Sequence, residues 1–139
     1  MSYTIDELKP GMSAEFTRTV SERDVELFGE VSGDTNPVHF DETFASSTPF
    51  KGRIAHGVLT ASYISTVLGM QMPGPGTIFL GLNIRFKAPV RIGDNVAAIC
   101  TVRDVISEKR RVVFDCACRV GDTVVIEGEA TVMPPARKA

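Results

Sequence analysis

Residues Gly57 to Met70 decide most of what this chain can become. Val58, Leu59, Ala61, Ile64, Val67, Leu68 and Met70 fall on almost every side of a helix there, and no charge interrupts them. A helix apolar all round has to be buried. The segment is also shorter than the about 20 apolar residues that cross a bilayer. The rest of the chain must therefore wrap it, and its polar residues Thr60, Ser62, Ser65 and Thr66 need partners inside. Gln71-Met72-Pro73-Gly74-Pro75-Gly76 ends it with four breakers.

Strands supply the wrapping. Ile78, Leu80, Leu82, Ile84 and Phe86 alternate with Phe79, Gly81, Asn83 and Arg85, which predicts a half-buried strand. Val96 to Ile106 predicts a second. Ser107-Glu108-Lys109-Arg110 turns it into a third, with Val112, Phe114, Cys116, Cys118 and Val120 on one face. Gly121-Asp122 makes a hairpin into a fourth, Thr123 to Met133. Before the helix, Met12 to Val20 alternates as a strand. Ser21-Glu22-Arg23-Asp24 resembles a capping box opening a short helix to Val31, with Asp24, Leu27, Phe28 and Val31 on one face. Asp41 to Ser46 predicts one more helical turn, ahead of a loop at Thr48-Pro49-Phe50-Lys51-Gly52. The tail from Pro134 to Ala139 is expected to fray. Antiparallel strands around one buried helix make an α+β domain. At 139 residues it is a single domain.

Composition excludes several functions. A net charge of −2 leaves no basic footprint for nucleic acid. No apolar run is long enough to span a membrane, and the first residues lack the basic and apolar regions of a secretory signal. Cys100, Cys116 and Cys118 are odd in number and lack framework spacing, which fits a reducing, cytoplasmic setting and thiols used for packing. His39-Phe40-Asp41 is too sparse for a metal site, so no metal is expected.

Chemistry concentrates in Ser32-Gly33-Asp34-Thr35-Asn36-Pro37-Val38-His39. It sets a carboxylate and an imidazole five positions apart among turn formers, in a chain with only two histidines. Pro37 argues against a helix through the middle, so Asp34 and His39 are expected on a shaped loop. Together they can take a proton from water and give one to carbon. Arg53-Ile54-Ala55-His56-Gly57 then leads into the buried helix. The first N–H groups of a helix lack internal partners, and its dipole makes that end positive. Gly57, without a side chain, would let a ligand carbonyl approach its N–H, which is a candidate oxyanion hole.

The string from Phe28 to Ala45 closely resembles the hydratase-2 motif of the MaoC-like family, the (R)-specific enoyl-CoA hydratases. The element order resembles the hot-dog fold over about residues 5 to 133, a curved antiparallel sheet around one buried central helix. This resemblance implies syn hydration of a trans-2-enoyl-CoA to the (R)-3-hydroxyacyl-CoA, with Asp34 and His39 on one water and the Gly57 N–H on the thioester oxygen. It implies that Ser65 hydrogen-bonds Asp34. Asn36, His56 and Leu68 are expected beside the substrate, with Asn36 mainly forming the turn and Leu68 limiting the acyl tunnel. In a dry pocket Asp34 could share the role of base, so which group first takes the water proton stays open. The resemblance further implies an acyl-CoA thioester as the small-molecule partner, a homodimer and no cofactor. Supply of hydroxyacyl-CoA for polyester synthesis and (R)-branch β-oxidation both fit a domain of this size. A 3-hydroxyacyl-ACP dehydratase, a hot-dog thioesterase and a non-catalytic acyl-CoA-binding module are the rival readings.

Overall fold

A computed structural model describes residues 2–137. Five strands form one antiparallel sheet: β1 (Ser13–Thr19), β2 (Ile78–Phe86), β3 (Asn95–Ile106), β4 (Arg111–Val120) and β5 (Thr123–Met133). Their order across the sheet is β1-β3-β4-β5-β2. Helices α1 (Glu22–Ser32), α2 (Pro37–Phe40), α3 (Glu42–Ser46) and α4 (Gly57–Thr66) all fall between β1 and β2. The sheet curves around α4, as the sequence required.

The alternation along β4 packs the core. Val112, Phe114, Cys116 and Cys118 are buried beneath α4 with Ile64, Val67 and Leu68. Burying each large side chain of this kind contributes about 1.5–3 kcal/mol. Cys100 lies opposite Cys116 in the sheet register. Burial pushes the Cys118 thiol up to about 12, and a hydrogen bond with Cys116 together with burial pushes Cys100 up as well. Such thiols pack as small apolar groups rather than act as nucleophiles.

Four details differ from the periodicity. The helix expected through Met70 is α-helical only to Thr66. It continues as a π-helical turn over Val67–Gln71, where the Met72 N–H reaches the Val67 carbonyl at 3.0 Å. Second, α4 is not buried all round in the single chain: Val58, Ser62 and Ser65 lie on an exposed stripe. Third, the alternation in β2 breaks at Leu80, where the pairing with β5 shifts register.

Fourth, α1 is rotated from its expected face. The capping box at Ser21 is present, and Arg18 grips Asp24 through two hydrogen bonds of 2.7 and 3.0 Å. The Arg18 guanidinium holds the Asp24 carboxyl down to about 2. Of the expected face Asp24 is buried and Phe28 packs on the core, while Val25 and Gly29 turn inward in place of Leu27 and Val31, which are exposed. Of the tail expected to fray, Lys138 and Ala139 lie outside the described residues, while Arg137 pairs with Asp6 at 2.8 Å.

Candidate active site

Helix α1 ends on Gly33, whose φ of 77° is the left-handed geometry glycine permits, and its N–H returns to the Gly29 carbonyl at 2.9 Å. The chain then turns on side-chain caps. The Asp34 N–H donates to Ser32 Oγ at 3.1 Å, and Asp34 Oδ1 accepts from the Asn36 N–H at 3.2 Å. Asn36 caps α2 by accepting from the Val38 N–H at 3.2 Å. Pro37, expected to bar a helix, instead opens one. It occupies the first helical position, where its missing N–H costs nothing. This single turn buries His39 and leaves Asp34 exposed. Gly29 lets the turn dock, because a Cβ there would come 2.5 Å from the Phe40 ring.

His39 is held from several sides. Its Nδ1 lies 2.8 Å from the Ile54 carbonyl oxygen. A carbonyl only accepts, so Nδ1–H donates and the lone pair of the neutral ring sits on Nε2. Burial pushes the His39 imidazole below its ordinary value and His56 adds to that, while the Ile54 carbonyl and Asp34 oppose it. The His39 carbonyl accepts from Arg53 Nε at 2.8 Å, and the same guanidinium pairs with Glu22 of α1 at 2.8 Å. Arg53 thereby ties the turn to α1, a role that nothing in its local sequence signals.

His56 touches both groups. Its Nε2 lies 2.8 Å from the Asp34 main-chain oxygen, and its ring stacks on His39 at 3.9 Å and 31°. Donor atoms of Asp34, His39 and His56 come within 4.8 Å of one another. The two rings are tilted, and each turns one ring N–H to a main-chain carbonyl, His39 Nδ1 to Ile54 and His56 Nε2 to Asp34.

Gly57 begins α4 directly after His56. Among the described residues neither the Gly57 nor the Val58 N–H has a recorded acceptor, as expected at a free helix N-terminus. A cavity of about 430 Å³ opens beside Gly57, with largely apolar walls that include Phe50, Ile54, Val58, Phe86 and Pro89. A Cβ at Gly57 would lie 2.7 Å from the exposed Phe86 ring, which would have to shift to admit one.

Asp34, His39 and His56 thus meet at one place, with Asn36 shaping the turn; Gly57 follows His56 in the chain, and its cavity is lined by none of those three. Ser65 and Leu68 are not brought there by the single chain. Ser65 is exposed on α4 and makes no recorded hydrogen bond to Asp34 among the described residues, because it belongs to the outward stripe with Val58 and Ser62. Leu68 is packed in the core and does not line the cavity. The dry surroundings envisaged for Asp34 are also not built by this chain alone, since Asp34 is exposed.

Residues 6–122 match the family of the MaoC like domain. The chain is 53% identical over 132 residues to an (R)-specific enoyl-CoA hydratase of Rhodospirillum rubrum, covering 95% of this chain and 92% of that protein. It is 45% identical over 133 residues to a 3-hydroxybutyryl-CoA dehydratase of Methylorubrum extorquens, covering 96% and 85%. Its fold is similar to the unliganded (R)-hydratase PhaJ1 of Pseudomonas aeruginosa, with a TM-score of 0.91 and 41% identity over 99% of this chain and 89% of that one. With the loop, the helix N-terminus and the hot-dog sheet all in place, the chain belongs to the MaoC-like family.

Proposed function

We propose that this protein is a hydro-lyase that adds water to a trans-2-enoyl-CoA to give the (R)-3-hydroxyacyl-CoA, and catalyses the reverse dehydration. One observation carries the reading. His39 has its Nδ1–H committed to Ile54, which frees Nε2 for proton transfer, and the Asp34 carboxylate stands beside it. The names of relatives that align over 92% and 85% of their own lengths agree with a hydratase.

The chemistry follows from the placement. A water held between Asp34 and His39 loses a proton to one of them as its oxygen bonds to C3. The π electrons move toward the thioester, and negative charge gathers on the carbonyl oxygen. The free Gly57 N–H and the positive end of α4 stabilise that enolate. C2 then takes a proton from the same pair, so hydrogen and hydroxyl add to one face. The apolar cavity beside Gly57 accommodates the apolar part of the ligand. Incubation with crotonyl-CoA tests this: loss of the conjugated enoyl thioester without release of free thiol is expected, and thiol release would point to a thioesterase.

The lowered basicity of His39 gives a pH prediction. The neutral imidazole is the working form, and it persists above its pKa. With that pKa pushed below the ordinary 6.5, the acid limb of kcat/KM is expected to fall at a pH below that of free imidazole. A limb centred above 6.5 would contradict a buried neutral His39.

The same reading includes a homodimer. β2 is an edge strand that exposes Ile78, Phe79, Leu80, Leu82 and Phe86, and α4 exposes Val58. A long apolar edge needs cover. A second copy would cover it and enclose Asp34. Light scattering at micromolar concentration is expected to give twice the 15.0 kDa chain mass; a fully active monomer would refute it. No helix among the described residues is long and apolar enough to cross a membrane, and three free thiols are consistent with a cytoplasmic enzyme. Exhaustive chelation is expected to leave the rate unchanged, and a large loss restored by zinc or magnesium would overturn the metal-free scheme.

A further inference from the structure

We infer that His56 is a positioning residue that holds the Asp34 backbone and the His39 ring in working register, acting chiefly through its Nε2–H bond to the Asp34 carbonyl. The inference rests on the hydratase reading and assigns His56 a task other than proton transfer or direct contact with substrate.

Three facts carry it. First, the His56 side chain is 2% exposed, so it is not placed to meet bulk water. Second, its polar contact is with main chain. Nε2 lies 2.8 Å from the Asp34 oxygen across 22 residues of sequence. Because that oxygen only accepts, Nε2–H is committed to it. Nδ1 is buried and without a recorded partner, so no second polar group competes to reorient the ring. Third, the ring is boxed. It stacks on His39 at 3.9 Å and meets Phe28 at 4.8 Å and Phe40 at 5.7 Å.

The box explains how separate elements share one geometry. Phe28 belongs to α1, His39 and Phe40 to α2, and His56 is the N-cap residue of α4. Its carbonyl accepts the first helical bond from Leu59 N–H at 3.1 Å, and the next residue is Gly57. One side chain therefore relates the loop that carries the carboxylate, the catalytic ring and the oxyanion donor. Geometry of this kind matters because displacement of a catalytic group by about 1 Å can cost on the order of 10² in rate.

Two substitutions separate the contacts. His56→Phe keeps a flat ring against His39 but cannot donate to Asp34. His56→Gln keeps an N–H at comparable reach but loses the ring. With crotonyl-CoA, His56→Phe is expected to lower kcat about 10- to 100-fold with KM changed less than about threefold, and His56→Gln to recover most of that loss. In an Asp34→Asn background, His56→Phe is expected to cost little more, because the group it positions no longer moves a proton. A general packing defect would reduce both backgrounds alike. If His56→Phe does not fold, His56→Leu serves in its place.

Wild-type kcat for His56→Phe would overturn the inference. So would equal losses in the Phe and Gln variants, or an unchanged penalty in the Asp34→Asn background. A wild-type protein that leaves crotonyl-CoA intact would instead defeat the hydratase reading itself, so the two failures are distinguishable.

Discussion

His39→Gln and Asp34→Asn are each expected to lower kcat for crotonyl-CoA hydration by roughly 10²–10⁴, with a smaller change in KM. Both replacements are nearly isosteric. In Asp34→Asn the new amide oxygen would still accept from the Asn36 N–H, as Asp34 Oδ1 does at 3.2 Å, so the turn should persist. Because the two groups are proposed to hold one water, the double variant should be little worse than the poorer single one. His56→Gln should lose much less, since it keeps the donor that faces Asp34. Steady-state kinetics on the four proteins, with folding checked by circular dichroism, measures this. An inactive His56→Gln beside an active His39→Gln would exchange the roles of the imidazoles. An active Asp34→Asn would remove the carboxylate from the mechanism and favour a thioesterase or a binding module.

The second large effect belongs to Gly57→Pro, which deletes the proposed oxyanion donor. Loss of one such donor costs about 3–4 kcal/mol of transition-state stabilisation, roughly 10²–10³ in kcat. The backbone is suited to the change. Gly57 is the first residue of α4, a position that tolerates proline. His56 before it is already extended at φ −59° and ψ 130°, as a residue preceding proline must be. The added ring carbons would press on Phe86, whose ring lies 2.7 Å from a Cβ built at Gly57. Gly57→Ala isolates that crowding while keeping the N–H. Phe86 is 55% exposed and can yield, so Gly57→Ala should lose less than the proline variant. Near-normal kcat in a folded Gly57→Pro protein would place the oxyanion donor elsewhere.

What the sequence disclosed, and what it did not, follows from the range of the interactions involved. Helix α4 and strands β3 to β5 were legible because burial imposes a period on consecutive residues. The rotation of α1 was not, because it depends on Arg18 of β1 gripping Asp24. The break in β2 at Leu80 depends on the shape of β5 opposite it. Pro37 argues against a helix by its missing N–H, yet its place directly after the capping Asn36 makes it a helix start.

The site divides in the same way. Asp34 and His39 could be picked out as an acid and an imidazole near one another, and Gly57 as the bare start of a helix. The contacts that arrange them are long-range: Ile54 on His39, Arg53 between His39 and Glu22, His56 on Asp34. A further close approach does carry a signal: Gly29, a glycine inside an otherwise ordinary helix, marks the docking of Phe40. Ser65 had no signal in the sequence, because its stripe on α4 faces outward, where a second copy is proposed to dock.

The fate of the water oxygen tests the central claim most directly. Crotonyl-CoA is incubated with the enzyme in heavy-oxygen water, and the products are resolved by chiral chromatography and mass spectrometry. A water activated by Asp34 and His39 predicts label at C3 of (R)-3-hydroxybutyryl-CoA, with the thioester intact. Label in a free carboxylate, with CoA released, would contradict the account.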